Sequence, residues 1–368
     1  MELEYQAVNY IKGRYIILED VENVLSVLSV DRFQIDKVAK SVENRDLYTV
    51  RFGHGKKKII LWSHMHGNEG TTTKAVLDWL SLVNKNESYY KEISSHCTFC
   101  ILPMVNPDGA FYYTRVNANQ VDLNRDSVAL SQPESMFLNQ MIREFAPDLA
   151  LNLHDQRTIF GVGKNEKPAT ISFLAPAFND QRDVNETRTI AMQLIAAMYT
   201  KLNEIIPNQI GRFDDSFNIN CIGDCVTHMG IPTILFEAGH YPDDYQREET
   251  RKIVFEALCT LFDTFKTEDY AKISTDIYWN IEENAKTFND VRIEGVGENL
   301  IGLSKNGVIC LQYVEKVHDN NLFFEYSVDF ESAPNAKYGH KILNAKGLKF
   351  NSINEIYSFL DENLKKLQ

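Results

Sequence analysis

Positive charge is in short supply in this chain of 368 residues: 38 Lys and Arg stand against 51 Asp and Glu, a formal charge of −13. Nucleic-acid binders normally present a basic face, so this balance argues against that class. It equally disfavours adsorption to an anionic membrane. Long apolar runs are missing as well. No stretch approaches the ~18 apolar residues of a membrane span, and the opening MELEYQAVNYIKGR lacks the charged-then-apolar layout of an export signal. The six cysteines are scattered, which fits a reducing compartment, so a cytoplasmic location is the expectation. Cys97-Thr-Phe-Cys100 has metal or redox spacing, yet it opens the apolar run CTFCILPMV. Residues three apart on a strand face opposite sides, so the pair reads as structural. Internal repeats and low-complexity segments are absent too.

What remains is an ordinary globular composition, 44% hydrophobic and 24% charged, with material for a substantial core. The length exceeds a usual single domain. From about residue 46 to 266 short apolar runs alternate with helical patterns. KKKIILW, CTFCILPMV, DLALNLH and PTILFEA read as strands. TTTKAVLDWLSLV, ESMFLNQMIREF, TRTIAMQLIAAMYTKL and ETRKIVFEALCTLFDTF read as helices. The alternation implies an α/β fold with a mixed, largely parallel sheet flanked by helices. Beyond about residue 270 the pattern changes. Asn306-Gly307 between extended runs predicts a hairpin, LFFEYSVDFE a further strand, and Ser352 with Glu355 a capping box for a last helix. The division expected is a catalytic domain over 1–275 and a smaller β-rich accessory domain over 276–368.

Acid and imidazole groups recur just past the ends of these strands, where α/β ligand sites form. His66 and Glu69 follow the first strand in SHMHGNEG, His154 ends the third in LNLHDQ, and Glu237 lies near the end of the fourth in ILFEAGH. Two histidines, one carboxylate and an open position suit a catalytic zinc ion, with a carboxylate to spare.

These segments, HGNE, NPDG, RVNANQVDLNRD, NLH and TILFEAG, stand in the order found in the M14 (carboxypeptidase A-like) zinc carboxypeptidases, and the chain resembles that family over roughly residues 46–266. The resemblance implies one zinc per chain held by His66, Glu69 and His154. It implies that Asp122 fixes the tautomer of the first zinc histidine, and that Arg115 steadies the negative oxygen of the tetrahedral intermediate. Asn124 and Arg125 would grip the substrate's terminal carboxylate, and Glu237 would act as the general base. His64 is then a strand-edge or pocket-lining residue rather than a ligand.

Two departures stand out. The family's mobile tyrosine ahead of the base has no counterpart: NCIGDCVTHMGIPTILFEAG puts Thr227 and His228 near that place, leaving Tyr112, Tyr113 and Tyr241 as substitutes. The β-rich tail also lies outside the resemblance. His240 reads as a packing residue, Asp155 and Gln156 as pocket lining, Arg157 as a solvated loop residue, and GRFDDSFNINCIGD as a long loop bordering the site.

The activity expected is amide hydrolysis on a small peptide with a free carboxylate. Deacylation of N-acyl amino acids is the alternative, because aspartoacylase and succinylglutamate desuccinylase share HGNE-like and DLNR-like segments with a β-rich tail. An inactive zinc-binding module is a third reading, opposed by the complete set of ligands and base. The sequence leaves the oligomeric state open.

Overall fold

The computed structural model describes residues 4–297, 307–327 and 337–364. After helix α1 (Leu18–Leu25), strands β1 (Gln34–Lys40) and β2 (Asp46–Gly53) pair antiparallel, with a register shift between Lys37 and Ala39. This β1 is a sheet edge. Its irregularity and its exposed Lys37 and Lys40 are the features that keep an edge strand from recruiting another chain. β3 (Lys57–Ser63) follows, and its last five residues are all buried, as a strand covered on both faces requires. Helices α2 (Thr71–Lys85) and α3 (Glu87–His96) carry the chain to β4 (Cys97–Leu102), which runs parallel to β3.

Helices α4 (Pro107–Tyr112) and α5 (Pro133–Phe145) each start on a proline, whose missing N–H would have no intrahelical partner there anyway. β5 (Leu149–Asp155) is buried along its whole length. Then come β6 (Phe160–Val162), β7 (Ile171–Leu174), α6 (Glu186–Asn203), β8 (Ile210–Arg212), α7 (Ile222–His228), β9 (Thr233–Ala238) and α8 (Glu248–Thr267). The eight-stranded sheet runs β1-β2-β4-β3-β5-β9-β7-β8. Its centre, β4-β3-β5-β9, is parallel, while β2 joins β4 and β7 joins β9 antiparallel. The mixed α/β architecture is the one expected.

The two faces of this sheet have separate cores. Leu149, Leu151 and Leu153 of β5 and Ile234 and Phe236 of β9 join the large cluster built with α2, α6 and α8. Ile60, Trp62 and Ala150 pack with α5 and α7 on the other side. Cys97 lies in the first cluster and Cys100 in the second, both as free thiols, so they face opposite ways.

The N-terminal segment is tied to the main body by a buried ion pair. Asp78 of α2 accepts from Arg251 of α8 (Nε, 2.6 Å) and from the Val8 amide (2.7 Å), while Arg251 also donates to the Ile11 carbonyl (2.8 Å). At the other end, α9 (Asp276–Trp279) contributes Tyr278 to the large core. β10 (Asn284–Lys286) then pairs with β6. β11 (Phe288–Glu294), β12 (Ile309–His318), β13 (Asn321–Ser327) and β14 (Tyr338–Asn344) form a second sheet of order β13-β12-β11-β14, backed by α10 (Ile353–Asn363) around its own apolar cluster. Ser352 caps α10 through the Glu355 amide (3.2 Å), but the Glu355 carboxylate reaches the Asn351 amide (2.9 Å) rather than completing the reciprocal bond to Ser352. Asn306 of the expected hairpin turn lies outside the described residues. No helix among the described residues is long and apolar enough to cross a membrane.

Candidate metal centre and its cavity

The loop after β3 is shaped by close backbone approach. A Cβ on Gly67 would stand 1.8 Å from the Gly109 carbonyl carbon, so only glycine lets HGNE lie against NPDG. Asn106 joins the two segments. Its Oδ1 caps α4 by accepting from Gly109 N (2.8 Å), and its Nδ2 donates to the Met65 carbonyl (3.1 Å). Asp108 points away from the metal cluster, accepting from Ser41 Oγ (2.7 Å), Arg45 (2.6 Å) and Glu43 N (2.9 Å) at the β1–β2 turn. The NPDG motif is thus scaffold for the loop that carries His66.

His66, Glu69 and His154 converge as expected. Among the described residues they are the group of His, Cys, Asp or Glu side chains that could hold a metal ion, with one ligand atom from each within 4.8 Å of the others. His66 Nδ1 lies 2.8 Å from Glu69 Oε1, and His154 Nδ1 lies 2.8 Å from Glu69 Oε2. The two Nδ1 atoms are 3.1 Å apart. Asp122 Oδ1 stands 3.1 Å from His66 Nε2, which assigns the proton to Nε2 and leaves the Nδ1 lone pair toward the cluster. Burial, the strongest influence, pulls His154 below its ordinary value against the pull of Glu69, so this imidazole favours the neutral form a metal ligand needs. Two neutral-capable imidazoles and a carboxylate fit a zinc ion.

Asp122 also caps the short turn Leu123–Arg125 through Asn124 N (2.9 Å) and holds Arg115 Nε (3.0 Å). Burial raises its pKa, but His66 and Arg115 outweigh that and keep it well below the carboxylate range. Arg115 stands exposed at the cavity, with Nη1 3.5 Å from Glu69. Glu237 is in register with His154 on adjacent parallel strands. Burial first, then the charges of Glu69 and Asp155, push it well above the usual range, opposed by Arg115 and Arg247. Asn124 Oδ1 accepts from Ile222 N (2.9 Å), which leaves its amide nitrogen to donate elsewhere. Arg125 is exposed, with Nη1 on the Asn124 carbonyl (2.7 Å) and Cys221 Sγ (3.1 Å).

His66, Glu69, His154, Arg115, Asn124, Arg125 and Glu237, but not Asp122, line one cavity of about 700 Å³, within the range of small-ligand sites. His64 does not line it. Its backbone is left-handed (φ 55°), its Nε2 donates to the Gly67 carbonyl (3.0 Å), and its Nδ1 faces Thr73 Oγ1 (3.3 Å). His240 is buried against Tyr245 and His340, as a packing residue. Asp155 and Gln156 do line the cavity. Asp155 also caps α2 through Thr71 N (2.9 Å), and Arg157 sits exposed at the rim.

Of the tyrosine substitutes, Tyr113 reaches the cavity, whereas Tyr112 is exposed with its hydroxyl on Glu43 (3.1 Å) and Tyr241 packs on the main core. Thr227 is spent on the Gly223 carbonyl (2.9 Å), and His228 faces the Phe178 carbonyl (2.9 Å). The bordering loop over 211–224 is shorter than expected, because Gly211 and Arg212 belong to β8 and Ile222 opens α7. Four cavity residues, Gln312, Tyr313, Val314 and Glu315, come from β12 of the C-terminal sheet. Glu315 pairs with buried Arg14 and accepts from Tyr113 Oη (2.8 Å). No sequence pattern announced Arg14 or Glu315 as neighbours of the site.

The mixed sheet thus carries a two-histidine, one-carboxylate cluster at the ends of its central strands. Residues 25–140 match the zinc carboxypeptidase family, Peptidase M14. That match overlaps part of the region over which the ordered motifs resemble the family. Carboxypeptidase 2 of Trichophyton tonsurans and that of Trichophyton equinum are each 28% identical over 100 residues. The match spans 27% of this chain and 19% of each relative, so the chain corresponds to less than a fifth of their length. The fold extends the likeness further. A metallo-carboxypeptidase from Burkholderia cenocepacia superposes with a TM-score of 0.52 at 17% identity, covering 67% of this chain and 70% of that one. Carboxypeptidase A from Helicoverpa armigera gives 0.54 at 18% identity, covering 69% and 74%.

Proposed function

We propose that this chain is a zinc-dependent metallocarboxypeptidase that releases the C-terminal residue of a small peptide bearing a free carboxylate. The observation that carries the reading is the meeting of His66, Glu69 and His154 on one side of the cavity with Glu237 in register beside them. His66, Glu69 and His154 would hold zinc, which would supply Lewis acidity for activating water and polarising the scissile carbonyl. Glu237, in register beside His154, takes a proton from the attacking water and delivers it to the departing amine. Arg115 offers its guanidinium to the oxygen that gains negative charge. Arg125 provides a planar fork for the terminal carboxylate and Asn124 a neutral donor. Asp122 holds His66 in the tautomer that binds metal.

The test combines elemental analysis with a screen of carboxylate-bearing peptides. His66→Ala loses the bound zinc and His64→Ala retains it; equal loss in both variants would break the assignment. A second reading, deacylation of an N-acyl amino acid, draws support from the wall contributed by residues 312–315, which suits a compact substrate. Comparing cleavage of peptides with that of acyl-aspartate separates the two.

A further inference from the structure

The ladder between β5 and β9 ends just past His154 and Glu237. Its final pair is Asp155–Ala238, and it closes with a bond from Gln156 N to the Ala238 carbonyl (2.8 Å). Gly239 N then turns to the Thr170 carbonyl (2.8 Å), so the two strands part there. Across the parting lies the guanidinium of Arg247. Nη1 donates to the Ala238 carbonyl (2.6 Å) and Nη2 to the Gln156 carbonyl (2.5 Å). Nη1 also lies 3.7 Å from Asp155 Oδ2. Asp155 in turn donates its backbone N–H to Glu69 Oε2 (3.1 Å), and its carboxylate accepts from Thr71 N and Thr72 N at the start of α2. One side chain therefore ties together the three segments that carry Glu69, His154 and Glu237.

Arg247 holds this place against two local preferences. Its backbone is left-handed (φ 58°, ψ 33°), a conformation that a residue with a bulky side chain adopts only at a cost in strain. Its side chain is buried, and its Nε has no hydrogen-bond partner. Taking a guanidinium out of water is unfavourable, and an apolar residue would fill the same space at lower cost. Arg247 does not line the cavity, so contact with a ligand does not account for it. Departures of this kind from local rules gather at functional sites.

We propose that Arg247 is a positioning residue for the hydrolysis: by bridging the carbonyls that follow His154 and Glu237, it fixes the distance between the metal cluster and the base. The inference rests on the peptidase reading for the role of Glu237. Without the bridge, the strand ends beyond Asp155 are held by one backbone bond, and Glu237 gains freedom to move relative to His154. A displacement on the order of 1 Å between a base and the water it must reach lowers turnover about a hundredfold. Substrate binding, which falls to Arg125 and Asn124, is left nearly as it was. Arg247→Lys keeps the charge beside Asp155 but replaces the planar fork with a single nitrogen, so it holds one carbonyl at a time.

The experiment compares the full zinc-loaded chain with Arg247→Met and Arg247→Lys, at a temperature where circular dichroism shows all three folded. On the peptide the native chain cleaves best, kcat should fall about a hundredfold in Arg247→Met and about tenfold in Arg247→Lys. KM should stay within about threefold of the native value, with bound zinc unchanged. Hydrogen exchange supplies a readout without turnover. The Gln156 amide should exchange about tenfold or more faster in Arg247→Met, while the Leu151 amide in the middle of β5 keeps its native rate. Unchanged kcat in Arg247→Met overturns the inference. So does exchange that rises alike at Gln156 and Leu151, or a loss of kcat that tracks the fraction unfolded, since either marks a side chain that only stabilises the fold. If Arg247→Met does not fold, Arg247→Lys carries the same tests. A native chain that cleaves no peptide would instead sink the peptidase reading, and exchange at Gln156 would still decide whether Arg247 clamps the strands.

Discussion

Along β5, Leu149, Leu151 and Leu153 pack under α2, α6 and α8, while Asn152 and His154 stand on the opposite face of the same strand among polar groups. β9 repeats the division, with Ile234 and Phe236 in the large core and Leu235 and Glu237 at the cavity. A strand alternates its side chains with a period of two, so one segment serves both faces without compromise. The apolar face fixes the backbone, and the fixed backbone sets the spacing of the groups opposite. A substitution on one face should therefore register in stability and one on the other in chemistry.

The largest separation is expected from Glu237→Gln, which should retain zinc and the native melting profile while turnover falls roughly 10²–10⁴-fold. Unchanged turnover would remove the proposed base. On the other face, Phe236→Ala should cost about 3–5 kcal/mol of stability in denaturant titration. The zinc bound per folded molecule should stay the same; its loss would mean the two faces are not independent.

Asp224→Asn crosses the comparison, since a group placed at the cavity should also show in stability. The folded carboxyl is raised from 3.8 to about 6. Its burial therefore favours folding only while it is protonated, and that contribution is lost as pH rises from about 4 through about 6. The variant should be more stable than the parent by up to about 3 kcal/mol at pH 8, with the gain vanishing near pH 4. A gain independent of pH would contradict the assignment. The smallest effect on the site is expected from His64→Ala, which should lose about 1–3 kcal/mol of stability through its two hydrogen bonds and leave metal stoichiometry untouched.

Legibility in the sequence followed the same physics. The central strands could be read because burial on both faces makes them continuous apolar runs, as in DLALNLH and PTILFEA. β1 escaped because an exposed edge strand, QIDKVAK, carries no such run, and α7 because seven residues are too few to show a helical stripe. The convergence of His66, Glu69 and His154 was legible through local spacing and strand ends. Arg14, Asn152, Asp224 and Glu315 were not, because each owes its place at the cavity to contacts with distant segments or to the face of a strand.

The contact of Glu315 with Arg14 and Tyr113 sets an order of events during synthesis. By the time Glu237 leaves the ribosome, every proposed zinc ligand has already been made, yet β12 is still unwritten. A nascent chain at that stage carries the whole His66, Glu69 and His154 cluster but an unfinished chamber around it. That wall is complete only once residues 312–315 have been made.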